Sequence, residues 1–157
     1  MFEGDPAPAP SASPLAALAA LLPTIVQPPA PPLDNLRNRL VSADGTLNVP
    51  VGVYSDCSGD SPISRDRADL DPCFTGRAYF VGHSPGPFSP LLRMKIGAQI
   101  TWFDADGVAN RYRVVAQRDF VRNSATLTLT QPDVAAQFQT CLTLDGSLDR
   151  ILDAVRI

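Results

Sequence analysis

Proline divides this sequence into two parts that cannot share one kind of fold. Nine of its 16 prolines fall within the first 33 residues, beside eight alanines and only two charges, Glu3 and Asp5. Proline has no N–H to give a sheet ladder and breaks a helix interior. Residues 1–33 therefore read as an extended Pro/Ala-rich arm or linker of polyproline type. One island departs from this, SPLAALAALLP at 13–23. Ser13 suits a helix cap, Pro14 the first helical position and Pro23 a stop, which predicts a short helix near 14–22 with Leu15, Leu18, Leu21 and Leu22 on one face. The apolar run from Leu15 to Val26 is 12 residues. As a helix it would be about 18 Å long, against a hydrocarbon core of roughly 30 Å, and it lacks the basic flank of an export signal. It reads as an apolar sticker for the domain or for a partner protein, with an atypical export signal as the alternative.

From residue 34 onward the pattern is β. LRNRLVS (36–42) and LNVPVGVY (47–54) are short and apolar, with an Ala-Asp-Gly turn between them. AYFVGH (78–83) ends in the only histidine, His83. AQITWFD (98–104) and NRYRVVAQRDFV (110–121) flank Asp106-Gly107 as a hairpin would. ATLTLT (125–130), AQFQTC (136–141) and RILDAVRI (150–157) complete the set, and SPLLRMKIG (89–97) is the best place for a helical turn. Many short strands with one minor helix predict an all-β domain over 34–157, closed or nearly closed as a barrel. A 45% hydrophobic fraction supplies the core.

Charge and ligand types narrow the function. The net charge is −3 with acids and bases interspersed. No basic stripe exists, so nucleic acid is not an expected partner. One histidine cannot build the usual zinc site. Cys57 and Cys73 bracket a polar, turn-rich loop, where a disulfide would stabilise the chain by roughly 3 kcal/mol; two free thiols in a reducing compartment are the alternative. Five acids in that loop (Asp56, Asp60, Asp66, Asp69, Asp71) make calcium conceivable, but their spacing fits no EF-hand.

If 57 and 73 pair, Cys141 is the odd thiol. Alone, such a cysteine is more often a small buried hydrophobe. Strand 136–141 and strand 150–156 are joined by LTLDGSLD, whose Asp145-Gly146 can form the tip, which predicts that Cys141 and Arg150 lie close together at one barrel end. A cation beside a thiol favours thiolate and can hold an oxyanion. His83 also ends a strand. A thiol, an imidazole and a guanidinium at strand termini make a plausible set for a cysteine transpeptidase or peptidase.

These residues resemble the sortase pattern. Gly82-His83 closes an apolar strand, the stretch Phe88 to Leu92 contains Phe-x-x-Leu, and Lys95 to Ile100 matches Lys-x-Gly-x-x-Ile. Thr140-Cys141 ends a later strand and Arg150 opens the next, in the family's order of His, Cys and Arg. The likeness spans about residues 36–157. It implies an eight-stranded sortase-like β-barrel and an extracellular cysteine transpeptidase that cleaves a sorting-signal peptide through a thioester and hands it to an amine. Cys141 would be the nucleophile, His83 the general acid and then base, and Arg150 the group holding substrate and oxyanion. No metal or organic cofactor is implied. The sequence departs from the family where the strand before the cysteine reads Gln137-Phe138-Gln139-Thr140, and no membrane anchor is visible.

A second class of function fits the same residues: a structural virion or surface-assembly protein on a sortase-like barrel, with the Pro/Ala arm docking on partner subunits. A hydrolytic cysteine peptidase is the third, since water can replace the amine.

Overall fold

The computed structural model describes residues 36–122 and 133–157. The expected arm, its helix near 14–22 and the expected strand 125–130 lie outside the described residues. Eight strands follow in order: β1 Arg39–Ser42, β2 Asn48–Val53, β3 Ala68–Leu70, β4 Ala78–Gly82, β5 Gln99–Phe103, β6 Ala109–Val121, β7 Val134–Cys141 and β8 Leu148–Arg156. Among the described residues one 3-10 helix, Ser89–Arg93, stands between β4 and β5, with Pro90 in its first turn. No helix among the described residues is long and apolar enough to cross a membrane.

The strands close a barrel in the order β1-β2-β3-β4-β7-β8-β6-β5. β1 pairs with β5 to shut it, so no edge is left open. Two neighbouring pairs are parallel, β2 with β3 and β4 with β7; the rest are antiparallel. The expected hairpins form where turn residues allow them. Asp104 accepts from the backbone N–H groups of Asp106 and Val108, folding β5 onto β6.

Period-2 alternation fills the barrel. Ala136 and Phe138 of β7 lie level with Ala154 and Leu152 of β8, and all four are fully buried in the core with Leu40, Phe80, Phe88, Leu91, Ile100 and Tyr112. Phe80 stacks on Phe138 at 5.3 Å, and Trp102 meets Phe80 edge-on. On the outward face of β7 and β8, the polar side chains of Gln137, Asp149 and Asp153 are buried as well. Asp153 accepts from Arg118 Nε at 2.9 Å and from Gln137 Nε2 at 2.7 Å. Asp149 and Asp153 are both fully buried, which is tolerable only because each is matched by a guanidinium and an amide.

One strand was not expected. β3 lies inside the acid-rich loop, and its Asp69 is only 3% exposed. That carboxylate accepts from Ser64 N at 2.8 Å and pairs with Arg67 at 3.0 Å, so the acid is consumed by the loop's own fold.

Candidate active site

The site begins with the parallel pairing of β4 and β7. Phe80 lies level with Phe138, Val81 with Gln139 and Gly82 with Thr140. The pair is pinned at its end, where Thr140 Oγ1 donates to the Gly82 carbonyl at 2.9 Å. Position 82 has no room for a side chain, since a Cβ there would come within 2.7 Å of the Phe88 ring. The next residue along each chain is His83 on one side and Cys141 on the other. Adjacent strands are about 4.8 Å apart. Both side chains line one cleft of about 960 Å³, whose floor also includes Tyr79, Val81 and Gln139.

Two loops wall the cleft. Cys57 and Cys73 form a disulfide, with their Cα atoms 5.6 Å apart, so the alternative of two free thiols does not hold and Cys141 is the free cysteine. The closed loop contributes Asp60, Ser61, Pro62, Ile63 and Arg65 to the cleft. Asp56 braces it by accepting from the backbone of Ser58 and Ser61. Among the described residues no group of three His, Cys, Asp or Glu side chains could hold a metal ion. The opposite wall is the β7–β8 loop, where Leu144 is 89% exposed at the lip.

The groups around the sulfur differ from those expected. Arg122, just past β6, donates from Nη2 to Cys141 Sγ at 3.4 Å. The same guanidinium grips Asp149 through Nε and Nη2, both at 3.1 Å. Asp149 is the residue directly across from Cys141 on β8. It also accepts from Gln139 Nε2 at 2.8 Å, and Gln139 Oε1 accepts from the Tyr79 hydroxyl. Burial pushes the Cys141 thiol above its ordinary range and Asp149 pushes it further, against the pull of Arg122. Burial, and then the charge of Asp149, likewise holds the Tyr79 hydroxyl in its neutral form.

Arg150 is near Cys141 in backbone only. Its cross-strand partner is Thr140, so its side chain leaves the opposite face of the sheet. Its Nε and Nη2 meet the two Asp119 carboxylate oxygens at 2.8 and 2.9 Å, and Nη1 donates to the Leu92 carbonyl at 3.1 Å, tying β8 to the 3-10 helix. Arg150 is not among the residues that line the cleft. The reason is register. A two-residue turn at Asp145-Gly146 would set Cys141 opposite Arg150, whereas the loop closes from Leu142 N to Leu148 O and centres on Asp145. A one-residue change of register exchanges the two faces. Arg122 was overlooked, although a signal for it exists: in the strand RDFV and its continuation, alternation puts Arg118, Phe120 and Arg122 on one face.

Comparison with solved structures returns sortases. The barrel is similar to sortase C1 from Streptococcus suis, with a TM-score of 0.61 and 14% identity over 76% of this chain and 72% of that one. It is similar to a lid mutant of sortase A from Corynebacterium diphtheriae, with a TM-score of 0.61 and 17% identity over 76% and 68%. Sortase C from Streptococcus pneumoniae gives 0.60 and 18% over 78% and 70%. Sequence comparison finds no matching family model and no matching curated protein. Likeness at this identity shows a shared fold, the closed eight-stranded barrel.

Proposed function

We propose that this protein is a cysteine transpeptidase of the sortase kind, with Cys141 as nucleophile and His83 as proton carrier. The observation that carries the reading is that these two residues each directly follow the pinned pair Gly82 and Thr140 at the ends of β4 and β7, and that both line one cleft. His83 takes the thiol proton. The Cys141 sulfur then attacks a peptide carbonyl, forming an S–C bond while the carbonyl electron pair moves to oxygen. Collapse of that adduct breaks the C–N bond, and the departing amine leaves with the proton from His83. A thioester remains on Cys141. An incoming amine surrenders its proton to His83, attacks the thioester and regenerates the thiol. The acyl donor would be a peptide or protein carrying a sorting signal.

The disulfide supports a site of action outside the cell, at its surface, because such bonds persist in oxidising compartments. A second reading, a virion or surface-assembly component on the same barrel, draws support from the surroundings of the sulfur: burial and the neighbouring Asp149 push the Cys141 thiol above its ordinary range, against the pull of Arg122. The two readings part on reactivity with a phenyl vinyl sulfone. Its addition to a thiol needs a proton delivered to the carbon beside the sulfone, which His83 would supply. Wild type should react about 100-fold faster than His83→Ala; equal rates would leave the assembly reading standing.

A further inference from the structure

We propose that Arg122, delivered by the end of β6, is the guanidinium of this site, holding the Cys141 sulfur through Nη2 and offering Nη1 to the oxyanion, while Arg150 is a structural strut. The inference rests on the transpeptidase reading of Cys141 and concerns a residue that the likeness to sortases does not point to.

Four observations carry it. The first is distance: Arg122 Nη2 is 3.4 Å from Sγ, whereas the donors of Arg150 are engaged with Asp119 and with the Leu92 carbonyl. The second is access. The Arg122 side chain is 48% exposed and lines the cleft, against 16% for Arg150, which does not line it. The third is orientation. Fully buried Asp149 takes Nε and Nη2 of Arg122, fixing the plane of the fork and leaving Nη1 without a hydrogen bond among the described residues. The fourth is room. Gly146 of the β7–β8 loop passes so close that a Cβ on it would come 3.2 Å from Nη1, and its φ of +68° is one that glycine tolerates and other residues rarely adopt. The loop is therefore shaped to pass the guanidinium without covering it with a side chain.

In the acylation step the role is specific. As the sulfur attacks, charge moves from sulfur to the carbonyl oxygen. A fork already bonded to the sulfur and held by Asp149 can follow that charge without reorganising. Asp149 is then a positioning residue, acting through Arg122.

The test uses the full chain as wild type, Arg122→Gln, Arg122→Lys and Arg150→Gln, each first checked for a cooperative thermal unfolding transition. Alkylation of Cys141 by iodoacetamide across pH gives the midpoint for thiolate formation. Acylation by p-nitrophenyl acetate, followed as the burst of p-nitrophenolate above every midpoint, reads oxyanion stabilisation apart from thiolate supply. Arg122→Gln should raise the midpoint by about one pH unit and slow the burst at least about tenfold. Arg122→Lys, which keeps the charge, should recover most of the midpoint shift, and Arg150→Gln should move neither reading. A midpoint or a burst unchanged in Arg122→Gln, or the same changes in Arg150→Gln, would overturn the assignment. Failure of the transpeptidase reading would look different: no acyl transfer from any peptide, with both Arg122 effects intact.

Discussion

Thr140 Oγ1 donates a 2.9 Å hydrogen bond to the carbonyl of Gly82, joining two residues 58 positions apart in sequence. The residues that follow them are His83 and Cys141. One side-chain-to-backbone contact thus fixes the relative height of the two groups on which the proposed chemistry depends, and the bare Cα of Gly82 lets Phe88 close the barrel beneath them.

Replacing that glycine should therefore disturb both stability and chemistry. In Gly82→Ala the new methyl would meet the fully buried Phe88 ring at 2.7 Å. Overpacking of this kind costs about 1–3 kcal/mol. Urea unfolding should register that loss, and the vinyl sulfone rate should fall as the strand end carrying His83 shifts.

The disulfide closes the loop that forms one wall of the cleft. With Cys57 and Cys73 separated by 16 positions, breaking the bond should cost about 3 kcal/mol of unfolding free energy. Urea denaturation with and without a reductant would measure it, with Cys57→Ser/Cys73→Ser as the reference that reductant leaves unchanged.

Asp149 sets the sign of one pH effect. Burial and the Asp149 carboxylate both raise the Cys141 thiol, and Arg122 lowers it. Thiolate should thus appear at higher pH than in an unburied cysteine. Asp149→Asn removes a raising charge and leaves the lowering one, so the midpoint of iodoacetamide alkylation should move to lower pH. A movement upward would contradict the electrostatic account of the site.

Arg150 is expected to matter for the fold. Arg150→Ala removes two bonds to Asp119 and one to the Leu92 carbonyl. Because Asp119 is 41% exposed, the pair is partly screened. A loss of about 1–2 kcal/mol is expected in urea unfolding.

The sequence made the barrel legible where local chemistry and burial agree. β5 and β6 were visible because Asp106-Gly107 sits between two alternating runs, and β4 and β7 because apolar runs end at polar residues. β3 was hidden because Ala68–Leu70 is only three residues long and centres on an acid, whose burial makes sense only with Arg67 and the Ser64 N–H in place. Cys141 and His83 were legible as candidates because strand ends are where loops begin and because family spacing marks them. Arg122, just past β6, was not singled out, and Arg150 was expected on the cleft side. Which face a hairpin residue occupies depends on the register, and register depends on whether the turn holds an even or odd number of residues. LTLDGSLD offers Asp145-Gly146 as an even tip, but Thr143 and Ser147, whose hydroxyls lie 3.2 Å apart, close the loop around Asp145 instead. The Thr143 hydroxyl, then the Ser147 backbone and hydroxyl that donate to Asp145, hold its carboxyl down to about 2.

The most direct measurement is acyl transfer itself. The full chain is incubated with a randomised peptide library and hydroxylamine, and hydroxamate products are sought by mass spectrometry in wild type, Cys141→Ala and His83→Ala. The account predicts hydroxamates of a restricted set of peptides with wild type and none with either variant. Absence of product from wild type, or product that persists in Cys141→Ala, would contradict it.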